Sequence, residues 1–329
     1  MEKKKGSFVV QSRTSHFLEL SRVYARWIVR EVKHRWSDEN QKAINLAVRD
    51  FKQFKFTDPN TGITLKYNLY IPGNYDVNKS YPLVLFIHDA GVVSDDPRIT
   101  LIQGLGAVIW ATPSEQAKHE CFVLAPQYPT VIVNDFYEAR PHLEATVNLV
   151  KALMSQYRLD KNRLYTTGQS MGCMTSIEMM VRYPDLFAAA LLFAGQWDAH
   201  RMSALAKANM WIVVSERNPR AFEEMNTSMA ALEAAGAKVS RGVWNGRARP
   251  EELAVEANKM IAECTHIKYT VFSKGTVVPE GLPDNFHNNH IYTWQIAYMI
   301  EGLRDWLFTQ AKNTSHNYGG GNHHVSCEN

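Results

Sequence analysis

The sequence predicts an α/β protein with a mostly parallel central sheet. Nearly continuous apolar runs of strand length recur along the chain, and segments with helical periodicity lie between them. An uninterrupted apolar run is typical of a strand that is covered on both faces. Strands that alternate with helices pair in parallel through right-handed crossovers. In such sheets chemistry gathers at the carboxyl ends of the strands.

The elements follow in order along the chain. Residues 51–72 alternate around the turn sequence DPNTG and predict a β-hairpin. The predicted strands are YPLVLFIH (81–88), CFVLAP (121–126), RLYTTG (163–168), AALLFAG (189–195), MWIVVS (210–215) and IKYTVFS (267–273). The predicted helices are 138–157, 172–182, 221–235, 250–263 and 291–308.

The two ends of the chain differ from this pattern. Residues 15–50 mix apolar and charged side chains at helical spacing, so we expect residues 1–50 to be an N-terminal extension that is partly helical. The last residues, 312–329, contain three consecutive glycines and predict a flexible tail. The pair His323-His324 is interpreted as part of that tail and not as a metal site. The α/β domain is therefore predicted at 51–311.

Composition excludes several classes of protein. With 45% apolar residues in 329, the chain can bury a full core. The 36 basic and 33 acidic side chains are interspersed, and the net charge of +3 indicates no nucleic-acid partner. The four cysteines lack zinc-site spacing. Because Val9-Val10 is followed at once by Gln11, we expect no signal peptide and no membrane span.

One motif carries the chemistry of a nucleophile. Gly168-Gln169-Ser170-Met171-Gly172 follows a predicted strand and precedes a predicted helix. This is the setting in which a serine stands on a strained turn, exposed above the sheet. The backbone N–H of Met171, at the start of the helix, would face the negative charge that develops on a substrate oxygen. We therefore predict Ser170 as a nucleophile and Met171 as one oxyanion donor.

Three stretches together resemble a known family. YPLVLFIHDAG, RLYTTGQSMG and RDWLF are similar to the α/β-hydrolase superfamily, and more narrowly to its carboxylesterase branch of feruloyl-esterase-like "predicted peptidases". The similarity covers roughly residues 51–310 and implies the α/β-hydrolase fold, with possible secretion. It also implies that the N–H of Ala90 is the second oxyanion donor. Asp89 departs from the glycine that usually stands in this loop, and His88 is interpreted as a non-catalytic loop residue.

The general base is expected after the last strand, because these hydrolases place nucleophile, acid and histidine in that order. His290 and His287 both fit, and both lie just before the predicted helix 291–308. His290 is our first choice, since its spacing to Trp294 resembles that of the family. His287 is the alternative.

The acid is the position at which the pattern departs from the family. The stretch SERNPRAF follows the strand MWIVVS and places Asn218 where the family has aspartate. An asparagine can orient an imidazole but cannot stabilise its charged form. Asp198 and Glu216 also follow strands, at their predicted carboxyl ends, and are the alternatives. Asp198 is also interpretable as the N-cap of a helix.

These residues predict a serine carboxylesterase that acts on short-chain or aromatic esters without a cofactor or metal. Trp110, Trp197 and Trp294 are predicted pocket walls, with Tyr137 as a further candidate, because aromatic faces suit apolar acyl or phenolic groups. Two other functions stay open. One is a binding protein on a hydrolase scaffold with weakened catalysis, favoured by Asn218 and Asp89. The other is a serine peptidase of the same fold.

Overall fold

In the computed structural model, which describes residues 38–312, a nine-stranded sheet forms the centre of the molecule. The strands are β1 (Lys52–Thr57), β2 (Thr64–Tyr70), β3 (Tyr81–Ile87), β4 (Phe122–Gln127), β5 (Leu159–Gln169), β6 (Ala189–Phe193), β7 (Met210–Ser215), β8 (Val239–Trp244) and β9 (Ile267–Phe272). Their order in the sheet is β1-β2-β4-β3-β5-β6-β7-β9-β8. The hairpin β1–β2 and the pair β2–β4 are antiparallel, and the other pairs are parallel.

Helices connect these strands. They are α1 (Asp38–Asp50), α2 (Ile99–Ile102), α3 (Leu105–Val108), α4 (Pro113–Lys118), α5 (His142–Gln156), α6 (Met171–Arg182), α7 (Ala199–Met202), α8 (Pro219–Ala234), α9 (Pro250–Ala262), α10 (Phe286–Met299) and α11 (Glu301–Thr309). Short 3₁₀ turns cover Ala90–Val92, Ile109–Ala111 and Ser203–Leu205. Within residues 38–312, no helix is long and apolar enough to cross a bilayer.

The apolar runs of the sequence become strands that are buried on both faces. In β3, Leu83, Leu85 and Ile87 join the apolar cluster on one face of the sheet, whereas Val84 and Phe86 join the cluster on the other face. This is the reason that the run YPLVLFI contains no polar residue. The predicted α/β fold with a mostly parallel sheet is confirmed, as are the hairpin and the six predicted strands.

The sheet order creates the crevice for the site. β3 has β4 on one side and β5 on the other, so connections leave it in both directions. In open parallel sheets a ligand crevice forms at the carboxyl ends where the order reverses in this way. The loops after β3 and β5, which carry Ala90 and Ser170, therefore open side by side.

Two elements differ from the sequence-based expectation. The single helix predicted at 291–308 is two helices, because Ile300 is extended (φ −74°, ψ 106°) and begins a new direction. Arg304 donates from Nη1 to the carbonyl oxygen of Tyr298 at 2.6 Å and so satisfies one acceptor that the end of α10 leaves free. Strand β8 was not predicted.

The N-terminal segment packs against the domain where it is described. α1 contacts α3 and the turn Ile109–Ala111, and its Ala47 is fully buried. Residues 1–37 and 313–329, which hold the rest of the predicted extension and tail, lie outside the described residues.

Candidate active site

Ser170 stands on a strained turn between β5 and α6. Its backbone has φ 52° and ψ −116°, a conformation that side-chain-bearing residues rarely adopt. The flanking glycines permit this turn, because a Cβ atom on Gly172 would lie 1.9 Å from the carbonyl oxygen of Ile87. A Cβ on Gly168 would lie 2.7 Å from the same oxygen. The spacing of the motif is thus set by close packing of α6 and β5 on β3.

His290 lies within hydrogen-bonding distance of Ser170, although 120 residues separate them in the chain. Nε2 of His290 is 2.9 Å from Oγ of Ser170. The histidine is in the second turn of α10, and two aromatic rings bracket it at i−4 and i+4. The ring of Phe286 stacks on it at 5.6 Å, and the edge of Trp294 contacts it at 5.0 Å. These contacts restrict the imidazole to one orientation.

Asn218 contacts the other nitrogen of this imidazole. It precedes α8 and is 1% exposed, and its Nδ2 lies 2.8 Å from Nδ1 of His290. With Nδ2 as donor, the ring proton is on Nε2 and faces the serine. With the amide turned over, Oδ1 accepts a proton from Nδ1, and Nε2 is free to accept the serine proton. The two orientations have the same shape, and they differ only in which tautomer of His290 they select.

The two alternative acids lie elsewhere. The side chain of Asp198 caps α7 and accepts a hydrogen bond from the backbone N–H of Arg201 at 2.9 Å. Glu216 accepts from the backbone N–H of Lys274 at 2.6 Å. Among the described residues, the hydrogen bonds and ion pairs give His290 no carboxylate partner. The contact with Nδ1 of His290 is therefore made by Asn218. His287, the alternative base, lies three residues before His290 on α10.

This environment lowers the pKa of His290 to about 4. Burial is the larger cause, because the charged imidazolium loses its water, and the neighbouring His287 adds to the effect. An aspartate at the position of Asn218 would act in the opposite direction. The imidazole is consequently neutral, and available as a base, over most of the acidic range.

Two backbone N–H groups were predicted as oxyanion donors. Met171 is the first residue of α6 and Ala90 the first residue of the turn Ala90–Val92, so neither N–H has an acceptor within its own helix. His88 orients the second of these groups. Its Nδ1 donates to the carbonyl oxygen of Asp89 at 2.7 Å, and this carbonyl belongs to the same planar peptide unit as the N–H of Ala90.

His88 is a structural residue in this loop. Its Nε2 accepts from the backbone N–H of Tyr128 at 3.0 Å, and burial lowers the pKa of the ring to about 4. Nε2 of Gln127 also lies 3.2 Å from Nε2 of His88, and the low pKa keeps the imidazole neutral. The expectation of a non-catalytic loop histidine agrees with this position.

Asp89 is a buried carboxylate beside the proposed donor of Ala90. It is 3% exposed, and burial raises its pKa to about 6. Oδ1 accepts from the N–H of Gly91 at 2.8 Å, and Oδ2 lies 3.5 Å from Nε2 of Gln169. The departure from the usual glycine therefore introduces an ionisable group next to the nucleophile.

The predicted aromatic walls lie in different places. Trp110 is fully buried, donates to the carbonyl oxygen of Gly106 at 2.8 Å and packs against Phe308. Its role as a pocket wall stays a prediction. Trp197 is almost fully buried, and its edge meets Tyr137 at 5.4 Å beyond the end of β6. Trp294 touches His290, as described above.

Sequence reasoning missed two exposed aromatic side chains, Phe286 at His290 and Phe136 in the loop after β4. Phe286 is 53% exposed although it stacks on His290, and Phe136 is 81% exposed in the loop after β4. The backbone N–H of Ile132 in that loop donates to the sulfur of Met171 at 3.4 Å, which places the loop beside the nucleophile turn. The i−4 spacing of Phe286 to His290 was a signal that could have found this residue.

Comparison with known proteins identifies the family of the chain. The model of the family described as Esterase PHB depolymerase matches residues 65–242, more than half of the chain. Acetylxylan esterase A of Aspergillus ficuum is 28% identical over 145 residues, which are 43% of this chain and 45% of that protein. The chain thus matches less than half of the length of this curated relative. Feruloyl esterase B of Talaromyces stipitatus is 41% identical over 49 residues, 15% of this chain and 14% of that protein.

Solved structures show the same fold. A thermostable esterase superposes with a TM-score of 0.67 at 27% identity, covering 81% of this chain and 64% of that chain. The feruloyl esterase module of Clostridium thermocellum gives a TM-score of 0.50 at 14% identity, covering 82% and 91%. The chain belongs to the Esterase PHB depolymerase family and has the α/β-hydrolase fold of esterases, as its motifs predicted.

Proposed function

We propose that this chain is a serine carboxylesterase and that residues 51–311 form its catalytic domain. The observation that carries the proposal is the 2.9 Å contact between Oγ of Ser170 and Nε2 of His290 at a strained strand-to-helix turn. A serine hydroxyl is a weak nucleophile unless a base within this distance accepts its proton. Membership in an esterase family and the similarity to acetylxylan esterases support the same reaction class.

The chemistry follows from the geometry. Ser170 attacks the ester carbonyl while Nε2 of His290 takes its proton, and the carbonyl oxygen becomes an oxyanion held by the N–H groups of Met171 and Ala90. The imidazolium then protonates the leaving oxygen, the C–O bond breaks and the alcohol departs. Water attacks the acyl-enzyme, His290 accepts a proton from it, and the acid is released from Ser170.

Asn218 takes the place of the acid in this scheme. Its Oδ1 must accept from Nδ1 of His290 for Nε2 to act as the base, so the productive form is the one in which the amide oxygen faces the ring. A neutral amide selects the tautomer but adds no charge to stabilise the imidazolium. We therefore propose an esterase that is slower than one with an aspartate at this position.

Substrates of the proposed enzyme are short-chain or aromatic carboxylic esters. The names of the relatives, acetylxylan esterase and feruloyl esterase, cover an acetyl and an aromatic acyl group. The exposed ring of Phe286 next to His290 supplies an apolar face at the reacting centre. No cofactor takes part in these steps.

A fluorophosphonate probe and p-nitrophenyl acetate test the proposal together. We expect the probe to label Ser170 covalently and the ester to be hydrolysed with saturation kinetics. Ser170→Ala should lose both properties with an unchanged circular dichroism spectrum, whereas Ser155→Ala, an exposed serine of α5, should keep them. Labelling of Ser170→Ala, or turnover by it, would contradict the assignment of the nucleophile.

A second candidate is a binding protein on a hydrolase scaffold. The neutral side chain of Asn218 favours it, because the described residues place no carboxylate against His290. If the wild-type chain folds but neither reacts with the probe nor hydrolyses the ester, this second function replaces the first.

A further inference from the structure

A group of potential metal ligands lies far from Ser170, between α4 and α11. The group consists of Glu115, His119 and Asp305. Each residue offers one ligand atom, and these three atoms lie within 4.8 Å of one another. His119 follows Glu115 by four residues, one turn of helix on, and Asp305 comes from the last described helix. The neighbouring cavity of about 490 Å³ is lined by His119 and by Arg163, which is at the amino-terminal side of β5. Ser170 is at the other end of this strand, roughly 20 Å away.

Glu115 has one carboxylate oxygen without a partner. Its side chain is 4% exposed, and Oε2 accepts from Nε of Arg304 at 2.9 Å. Oε1 is buried and has no hydrogen-bond partner in the described part of the molecule. An unpartnered buried carboxylate oxygen is costly, because it has given up water without replacement. This oxygen is therefore available as a ligand for a positive group.

His119 and Asp305 complete the set in a fixed geometry. Nε2 of His119 lies 2.8 Å from Oδ1 of Asp305, and the imidazole is stacked on the ring of Phe308 at 4.3 Å with 6° between the planes. The stacked ring therefore directs Nε2 of His119 towards Asp305. The side chain of Asp305 is 44% exposed, so an ion can enter from solvent on this side.

We propose that Glu115, His119 and Asp305 bind a divalent transition-metal ion, with Zn²⁺ as the best match, that links α4 to α11. Two carboxylate oxygens and one imidazole nitrogen are ligands that Zn²⁺ accepts, at about 2.0 to 2.2 Å each. In a tetrahedral site with such bond lengths, the ligand atoms are separated from one another by about 3.3 Å. The three ligand atoms, which lie within 4.8 Å of one another, therefore need only small movements to bind the ion. The ion replaces the contact between His119 and Asp305, and water fills the remaining position.

The surrounding charges are compatible with an ion. The two carboxylates carry two negative charges, and that of Glu115 is shared between Zn²⁺ and Arg304. Arg304 stays on Oε2 of Glu115, where it fixes the carboxylate as outer hydrogen-bond donors do for metal ligands. Lys118 pairs with Glu301 and is thereby held in its own ion pair. The site goes beyond the proposed esterase reaction, and the ion would stabilise the packing of α11 without touching substrate.

Calorimetric titration with ZnCl₂ tests the site. The protein is the full chain with His323→Ala and His324→Ala, which removes the other histidine pair of the sequence, after dialysis against EDTA. We expect one Zn²⁺ per chain with a Kd of about 1 μM, and a rise in Tm of a few degrees at about 100-fold excess of Zn²⁺ over Kd. MgCl₂ should give neither effect, because Mg²⁺ prefers six oxygen ligands.

Variants decide whether these residues are the ligands. His119→Gln and Asp305→Asn, which keep the size of the side chains, should each raise the Kd at least about tenfold and remove the rise in Tm. His200→Ala, an exposed histidine of α7, should bind Zn²⁺ as the parent does. Absence of stoichiometric binding, or binding that both ligand variants retain, would overturn the proposal. Ser170→Ala should bind Zn²⁺ normally, so the result is independent of the esterase function.

Discussion

Asn218 is the residue at which the site departs most from a complete triad. Its amide lies 2.8 Å from Nδ1 of His290, at a distance where a carboxylate would stabilise the imidazolium formed in the transition state. We expect Asn218→Asp to raise kcat for p-nitrophenyl acetate at least about tenfold, which needs only about 1.4 kcal/mol. Asp198→Ala and Glu216→Ala are the controls and should change kcat less than about threefold, because neither side chain contacts the ring. A large loss in either control, with no gain at 218, would assign the acid to that residue instead.

The same contact predicts the pH dependence of the reaction. The base must be neutral, so activity is lost as the pH falls through the pKa of His290, which burial lowers to about 4. We expect the acid limb of kcat/KM in the wild-type enzyme near pH 4. In Asn218→Asp the new carboxylate raises the pKa of the imidazole and should move this limb upward by a pH unit or more. Identical acid limbs in the two proteins would show that the side chain at position 218 does not affect the pKa of His290.

Asp89 makes the stability of the nucleophile region depend on pH. Burial raises its pKa to about 6 from an ordinary value of 3.8, so the folded state prefers the protonated carboxyl. Its favourable contribution is complete below about pH 4 and is lost as the pH rises through about 6. We expect Asp89→Asn to raise Tm at pH 8 and to change it little at pH 4. The gain at pH 8 has an upper limit of about 3 kcal/mol, and a loss of stability at pH 8 would contradict it.

At the scale of elements, α10 holds the proposed base, His290. Phe286, His290 and Trp294 follow one another at four-residue intervals, so one helix supplies the imidazole and both rings that bracket it. We expect Phe286→Ala to lower kcat several-fold and to raise the pKa of His290, because removal of the ring exposes the imidazole to water. Measuring kcat and kcat/KM as functions of pH gives the loss of rate and the pKa of His290. Met299→Ala removes another exposed side chain of the same helix and should leave the profile unchanged.

The elements that the sequence predicted well are those with a strong local pattern. β3 and β7 are nearly unbroken apolar runs, and the motif Gly168–Gly172 predicts the turn that carries Ser170. β8 was missed because it is an edge strand with Arg241 and Gly242 in its middle and only two buried residues. The break between α10 and α11 depends on the Arg304 contact with Tyr298, a tertiary effect that periodicity does not contain.

At the scale of the whole molecule, the fold brings distant residues into contact. Ser170 and His290 were predicted separately from their positions after strands, and their 2.9 Å contact follows from the sheet order. The sequence favoured Asn218 by its similarity to the family but left Asp198 and Glu216 open, because all three follow strands. The three candidates differ in the direction that each loop takes after its strand, and in the structure the side chain of Asn218 contacts His290. The burial of Trp110 and the approach of Asp305 to His119 are likewise products of the whole fold.

The whole molecule also predicts which acyl chains are hydrolysed. Burying a methylene group is worth about 0.8 kcal/mol, so a long acyl chain gains affinity only where a continuous apolar surface receives it. In the described residues the large exposed apolar side chains are scattered, and the exposed aromatic ones, Phe136 and Phe286, lie on short loops or helix ends. We expect kcat/KM for p-nitrophenyl acetate and butyrate to exceed that for the palmitate ester at least about tenfold. The measurement uses one detergent concentration for all three esters, with Ser170→Ala as the background. Equal or faster hydrolysis of the palmitate ester would contradict the prediction.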